Sequence, residues 1–181
     1  LKRTAARHPD LLDRLGKLPM VARYRVGDVR VGVVHGDAES LAGWRFDVTA
    51  LDDPNEQEWR ADAFAVAQVD VFACSHTCLP AMRRFNLGRD KLVANNGAAG
   101  MPNALGTNFG MLTRIGTGPS PHASLYGHVL HGVSIDAVPI YYDISNWQVE
   151  FLKNWPAGSP AWVSYYHRIA NGPDYRLQGS A

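Results

Sequence analysis

Val31-Gly32-Val33-Val34-His35-Gly36-Asp37 is an apolar, proline-free run that stops at a histidine, a glycine and an acid. Valine-rich runs of this kind specify a largely buried strand, and Gly36 specifies the turn that closes it. Two further stretches repeat the arrangement: Asp70-Val71-Phe72-Ala73-Cys74 runs into Ser75-His76-Thr77-Cys78, and Lys91-Leu92-Val93-Ala94 runs into Asn95-Asn96-Gly97. In open α/β sheets the groups that meet a ligand gather just past the C-terminal ends of strands. His35, His76 and Cys78 therefore become candidate metal ligands, because imidazole and thiolate both suit zinc or iron.

Outward from these strands the chain alternates helix and strand. Leu11, Leu12, Leu15 and Leu18 share one face of a surface helix over residues 10–18, with Pro19 beyond it. Asp53 caps the next helix, Pro54 takes its first position and Glu56 stands three residues after the cap. Trp59, Ala63, Val66 and Ala67 form its expected buried stripe, so this half reads β-loop-α-β-loop-β, an α/β pattern. Residues 109–115, 125–133 and 134–142 are β-rich runs parted by Gly and Pro turns, which predicts an antiparallel meander. Ser145 and Ser159 are the expected N-caps of two closing helices, the second carrying Trp162, Tyr165, Tyr166 and Ile169 on one face until Asn171-Gly172 ends it.

With 181 residues, 46% of them hydrophobic, the chain can bury a sizeable core in one domain. Lys and Arg number 18 against 17 Asp and Glu, a net charge of +1, so no basic stripe steers it to nucleic acid and the expected partner is a small molecule. No apolar stretch approaches the roughly 20 residues of a membrane span, and no signal-peptide layout opens the chain, which predicts a cytoplasmic location away from membranes. Cys74 and Cys78 fit neither paired Cys-x-x-Cys zinc motifs nor a disulfide framework and are read as free thiols. Oligomeric state leaves no mark on the sequence.

Each candidate has a plainer reading beside it. His35 and His76 are either ligands or hydrogen-bonding residues at strand ends. Cys78 shares a site with His76 if the turn between them is extended, and is otherwise a small hydrophobe; Cys74, inside the apolar strand, is read as core. A nucleophilic Cys78 paired with a histidine is a third option, but no local cysteine-protease motif surrounds it. Asn95-Asn96-Gly97 either offers N–H groups to an anion or simply turns the chain, and Asp37 is read as capping its turn toward Ser40. Alternation puts His128 and His131 on opposite faces, and Trp147, Trp155, Trp162, Tyr165 and Tyr166 are read as core.

The order of these motifs resembles the C-terminal part of the calcineurin-like metallophosphoesterases. Val34-His35-Gly36-Asp37 is similar to that family's lone histidine at a strand end. Ser75-His76-Thr77-Cys78, with Leu79-Pro80 after it, is similar to its final Gly-His-x-His, and residues 95–102 to an Asn-Pro-Gly-Ser-x-x-x-Pro segment of bacterial members. The resemblance implies a four-layer αββα sandwich in which residues 1–181 form a single domain, the C-terminal portion of the unit. It also implies two divalent metal ions (Mn, Fe or Zn) that activate water against a phosphate monoester or diester. His35 and His76 would hold the second metal, Cys78 would approach the first, and Asn96 would bind substrate phosphate. Two departures stand out: Cys78 occupies the place of the family's final histidine, and the Asp-x-His, Gly-Asp and Gly-Asn-His-Asp/Glu motifs occur nowhere in these residues. The resemblance then implies either a partial unit or a non-catalytic binding or scaffold protein on the same fold.

Overall fold

The computed structural model describes residues 6–177. Helix α1 (Pro9–Gly16) leads into β1 (Ala22–Val26) and β2 (Val29–Val33). After a long loop come α2 (Val48–Asp52), a 3-10 turn (Pro54–Glu56), α3 (Gln57–Ala67), β3 (Val71–Cys74), β4 (Pro80–Leu87) and β5 (Arg89–Asn96). The remainder holds β6 (Phe109–Gly116), β7 (Tyr126–Leu130), β8 (Val133–Tyr141), α4 (Ile144–Asn154) and α5 (Pro160–Asn171).

The strands form a five-stranded sheet in the order β1-β2-β3-β5-β4 and a three-stranded sheet in the order β6-β8-β7. Successive side chains of a strand point to opposite faces, and β3 uses both. Val71 joins Val29, Val31, Met82 and Leu92 against Met111, Leu130, Val133 and Ile135 of the second sheet. Phe72 points the other way, into Phe46, Leu51, Ala63 and Phe64, which belong to the loop after β2, α2 and α3. Rings of Phe46 and Phe64 lie 5.0 and 4.9 Å from that of Phe72, so truncating Phe72 to alanine is expected to cost about 3–5 kcal/mol. The result is an α/β sandwich with a helix against one sheet and a second sheet against its other face.

Several local expectations are corrected. Asp53 caps the 3-10 turn, accepting from the Asn55 N–H at 2.8 Å, and α3 begins only at Gln57. Val66 is 83% exposed, whereas Trp59, Ala63 and Ala67 face the core as expected and Arg60 and Phe64 are buried beside them. Arg60 is tolerated there because its guanidinium donates to the carbonyls of Ala50 and Leu51 at the end of α2. The meander is replaced by a sheet with β8 in the middle, since β6 pairs with β8 and not with β7. Asp143, not Ser145, caps α4 through the Asn146 N–H, whereas Ser159 caps α5 as expected.

Candidate metal centre

The pairing of β2 with β3 decides where the two histidines go. The strands run parallel in the register Val31↔Val71, Gly32↔Phe72 and Val33↔Ala73, so their C-terminal ends are level. The ladder continues past both strands, with the Val34 N–H donating to Ala73 O at 3.0 Å and the Ser75 N–H to His35 O at 3.2 Å. His35 and His76 thus leave adjacent strands at one end of the sheet. His76 Nδ1 lies 3.2 Å from His35 Nε2, with the ring centroids 4.9 Å apart.

The two loops that carry these residues are locked. Asp37, buried beside His35, accepts hydrogen bonds from the backbone N–H groups of Glu39, Ser40 and Arg45, which is the capping role expected of it. Its carboxylate sits where a Cβ on Gly43 would fall, so that glycine is required for the loop to close. Asn95, 3% exposed, joins the two loops: its amide donates to Phe46 O at 2.9 Å and to Thr77 Oγ1 at 2.7 Å, and its carbonyl accepts the Gly97 N–H. Asn96 donates its amide to Met111 O at 2.8 Å and so ties β5 to the second sheet.

Cys78 does not lie on an extended turn. Its N–H reaches Ser75 O at 3.4 Å, its φ is +62°, and its thiol donates to His76 O at 3.2 Å. The alternation that would have aligned Cys78 with His76 therefore does not operate. Arg168 of α5 holds the turn by donating to Cys78 O and, at 3.2 Å, to Pro102 O. Cys74 is core, and burial, with the nearby charge of Asp37, pushes its thiol far above the ordinary range. His128 lies in β7, and His131 takes a hydrogen bond from Arg89 Nε at 3.0 Å, away from the pair.

Metal–nitrogen bonds of about 2.0–2.1 Å put neighbouring ligand nitrogens about 3.0–3.4 Å apart, the spacing range in which His35 and His76 stand. The same 3.2 Å suits a hydrogen bond between the two rings or two adjacent positions around one ion. Among the described residues no group of three His, Cys, Asp or Glu side chains comes together that could hold a metal, so a two-metal centre does not assemble from them alone. One residue beside the pair carried no signal in the sequence: Trp44 lies with its ring 5.6 Å from that of His76 and is 59% exposed.

No protein-family model and no curated protein matches the chain. Among solved structures it is similar to a metallophosphoesterase from Sphaerobacter thermophilus, at 18% identity and a TM-score of 0.54, over 91% of this chain and 63% of that one. The fold is that of the metallophosphoesterases. The chain is also similar to a hypothetical protein from Pyrococcus horikoshii, at 12% identity and a TM-score of 0.57, over 90% of this chain and 54% of that one. The metallophosphoesterase fold is what the motif order implied, and the chain spans less than two thirds of the length of either structure.

Proposed function

We propose that this chain carries the His35/His76 part of a metal-dependent phosphoesterase, residues 1–181 forming the C-terminal portion of a single domain. The observation that supports the reading is the 3.2 Å approach of His35 Nε2 to His76 Nδ1 at the level ends of β2 and β3, on a metallophosphoesterase fold. A divalent ion (Mn, Fe or Zn) at such a site polarises a phosphoryl oxygen and acidifies a bound water. The task of His35 and His76 is to present their facing ring nitrogens to that ion. Asp37 and Asn95 hold the two loops so that this spacing is kept without reorganisation. The substrate is a small phosphate monoester or diester, and the setting is cytoplasmic; no helix among the described residues is long and apolar enough to cross a membrane.

A second reading, a binding or scaffold protein on the same fold, is favoured by the lack of a third donor at the pair among the described residues and by the Cys78 thiol turned onto His76 O. Calorimetric titration of the chain with MnCl2 and ZnCl2, beside His35→Ala and His76→Ala, separates the two. The metal reading expects one ion per chain and an affinity at least about a hundredfold lower in each variant, a larger loss than that of a group supporting a ligand. Lack of saturable binding, or binding indifferent to both substitutions, leaves the scaffold reading. Hydrolysis of bis-p-nitrophenyl phosphate by this chain alone is expected to stay near the buffer rate. Rapid chelator-sensitive turnover would instead mean that further donors reach the ion.

A further inference from the structure

We infer that Trp44 is a platform on which a phosphoester substrate stacks a planar aromatic group, an inference that rests on the metal reading of the neighbouring histidines. Single exposed apolar side chains are ordinary on protein surfaces, so exposure alone says little. What sets Trp44 apart is its combination of water-facing area and fixed backbone. Phe46, two residues on, is fully buried, and its carbonyl accepts from Asn95. The Arg45 N–H is bound to Asp37, and the Asp47 N–H donates to Trp44 O at 3.0 Å. The loop thus spends its hydrogen bonds on holding still a residue that is left 59% exposed.

The indole gains an edge contact with the His76 ring in the free protein, but full burial would remove more apolar area from water. It stands over the edge of the histidine pair, 5.6 Å from the His76 ring and inclined to it by 68°. A phosphoester whose phosphate lay at His35 and His76 would have its alcohol portion beside the indole. Arg45 cannot cover the ring for that purpose, because its guanidinium is engaged 4.6 Å from the Trp59 ring and 3.3 Å from Glu56. A purine, pyrimidine or phenyl group gains from stacking its whole face on Trp44, and an aliphatic or ribose phosphate, which lacks a planar π face, gains less.

Calorimetry of the full chain with AMP, phenyl phosphate and ribose 5-phosphate, each with and without MnCl2, tests this. AMP or phenyl phosphate is expected to bind about tenfold tighter than ribose 5-phosphate, the gain of one stacked ring. Trp44→Ala is expected to erase that preference and Trp44→Phe to keep most of it, with the ribose 5-phosphate affinity little changed in both. A preference for AMP over phenyl phosphate identifies a nucleoside as the source of the ring; equal affinities identify a simple aryl ester. Equal binding of all three ligands, no binding of any, or a preference that survives Trp44→Ala overturns the platform. The metal reading is scored separately by MnCl2 alone. Ion binding without an aromatic preference removes Trp44 and leaves the histidines. A Trp44-dependent preference without ion binding removes the metal and leaves the platform.

Discussion

Strand β3 has a polar residue beyond each end, and the two live in opposite circumstances. Asp70, before the strand, is fully buried; its carboxylate accepts from the Arg30 N–H at 3.0 Å, Arg30 Nε at 3.2 Å and Lys91 Nζ at 2.9 Å. Burial by itself would raise that carboxyl, but the hydrogen bonds from Arg30 and Lys91 outweigh it and hold Asp70 well below the usual carboxylate range. His76, past the other end, has the half-exposed surroundings of a loop and the ring of His35 as its hydrogen-bonding neighbour. One end of the sheet has spent its polar capacity on the fold, while the other brings two ring nitrogens within 3.2 Å of each other at its surface. The lesson is that perturbed charge alone does not mark a site: the most perturbed carboxyl here is structural.

The sharpest way to break this contrast is to exchange the losses. Asp70→Ala removes the buried counter-charge of Lys91, whose side chain is 12% exposed and keeps its bond to Val69 O, and is expected to lower stability by about 3–5 kcal/mol in urea unfolding while the surviving fold keeps its ion affinity. His35→Ala should do the reverse, changing stability by less than about 1 kcal/mol. Equal stability losses would erase the distinction between the two ends. The pH dependence follows from the sign of the Asp70 shift. With its folded value depressed, Asp70 contributes stability that is complete above the unfolded carboxyl value of about 3.9 and is lost as pH falls below it. Asp70→Asn should flatten the acid limb of stability between about pH 5 and pH 2, measured by urea midpoints.

Asn95 sits between the extremes, because it is buried like Asp70 yet serves the loops of the histidine end. Asn95→Ala leaves Phe46 O and Thr77 Oγ1 without their donor and is expected to cost about 1–3 kcal/mol and to weaken Mn2+ binding. Lost stability with unchanged affinity would show that the loops keep their spacing without it. The smallest effect concerns the thiols. At pH 8 a disulfide reagent should label Cys78 and spare Cys74, which is 5% exposed and has its thiol pushed up by burial. Cys78→Ser should abolish the fast phase, and labelling of Cys74 in the native state would contradict its place in the core.

How much of this was legible depended on periodicity. His35 and His76 are legible because apolar runs deliver them, and the parallel partnership of those runs follows once a helix lies between them. Strands β1 and β4 carry no such signal: Ala22–Val26 alternates arginine with tyrosine on a sheet edge, and β4 opens on Pro80, tolerated there as a first strand residue. The turn at Cys78 escaped because a left-handed φ on a non-glycine residue depends on tertiary support, here Arg168 ninety residues along the chain. Trp44 escaped because an exposed aromatic in a loop has no periodic partners; only its distance to His76 distinguishes it. Asn95 was legible as a turn residue, but its bonds to Phe46 and Thr77 required the fold.

The clasp between Arg168 and the carbonyl of Cys78 means that the chain's late helix edits the geometry of a turn made much earlier. While the polypeptide is being synthesised, the loop of His76 exists well before the residue that gives it its final shape. Tyr175 repeats the arrangement, its hydroxyl donating to Pro80 O at 2.8 Å. A chain shortened from its C-terminal side is therefore not a smaller copy of the same binding surface. It is a version in which the histidine turn has lost its last instruction, and a trimmed protein should be judged as a variant of the site before it is judged as a minimal domain.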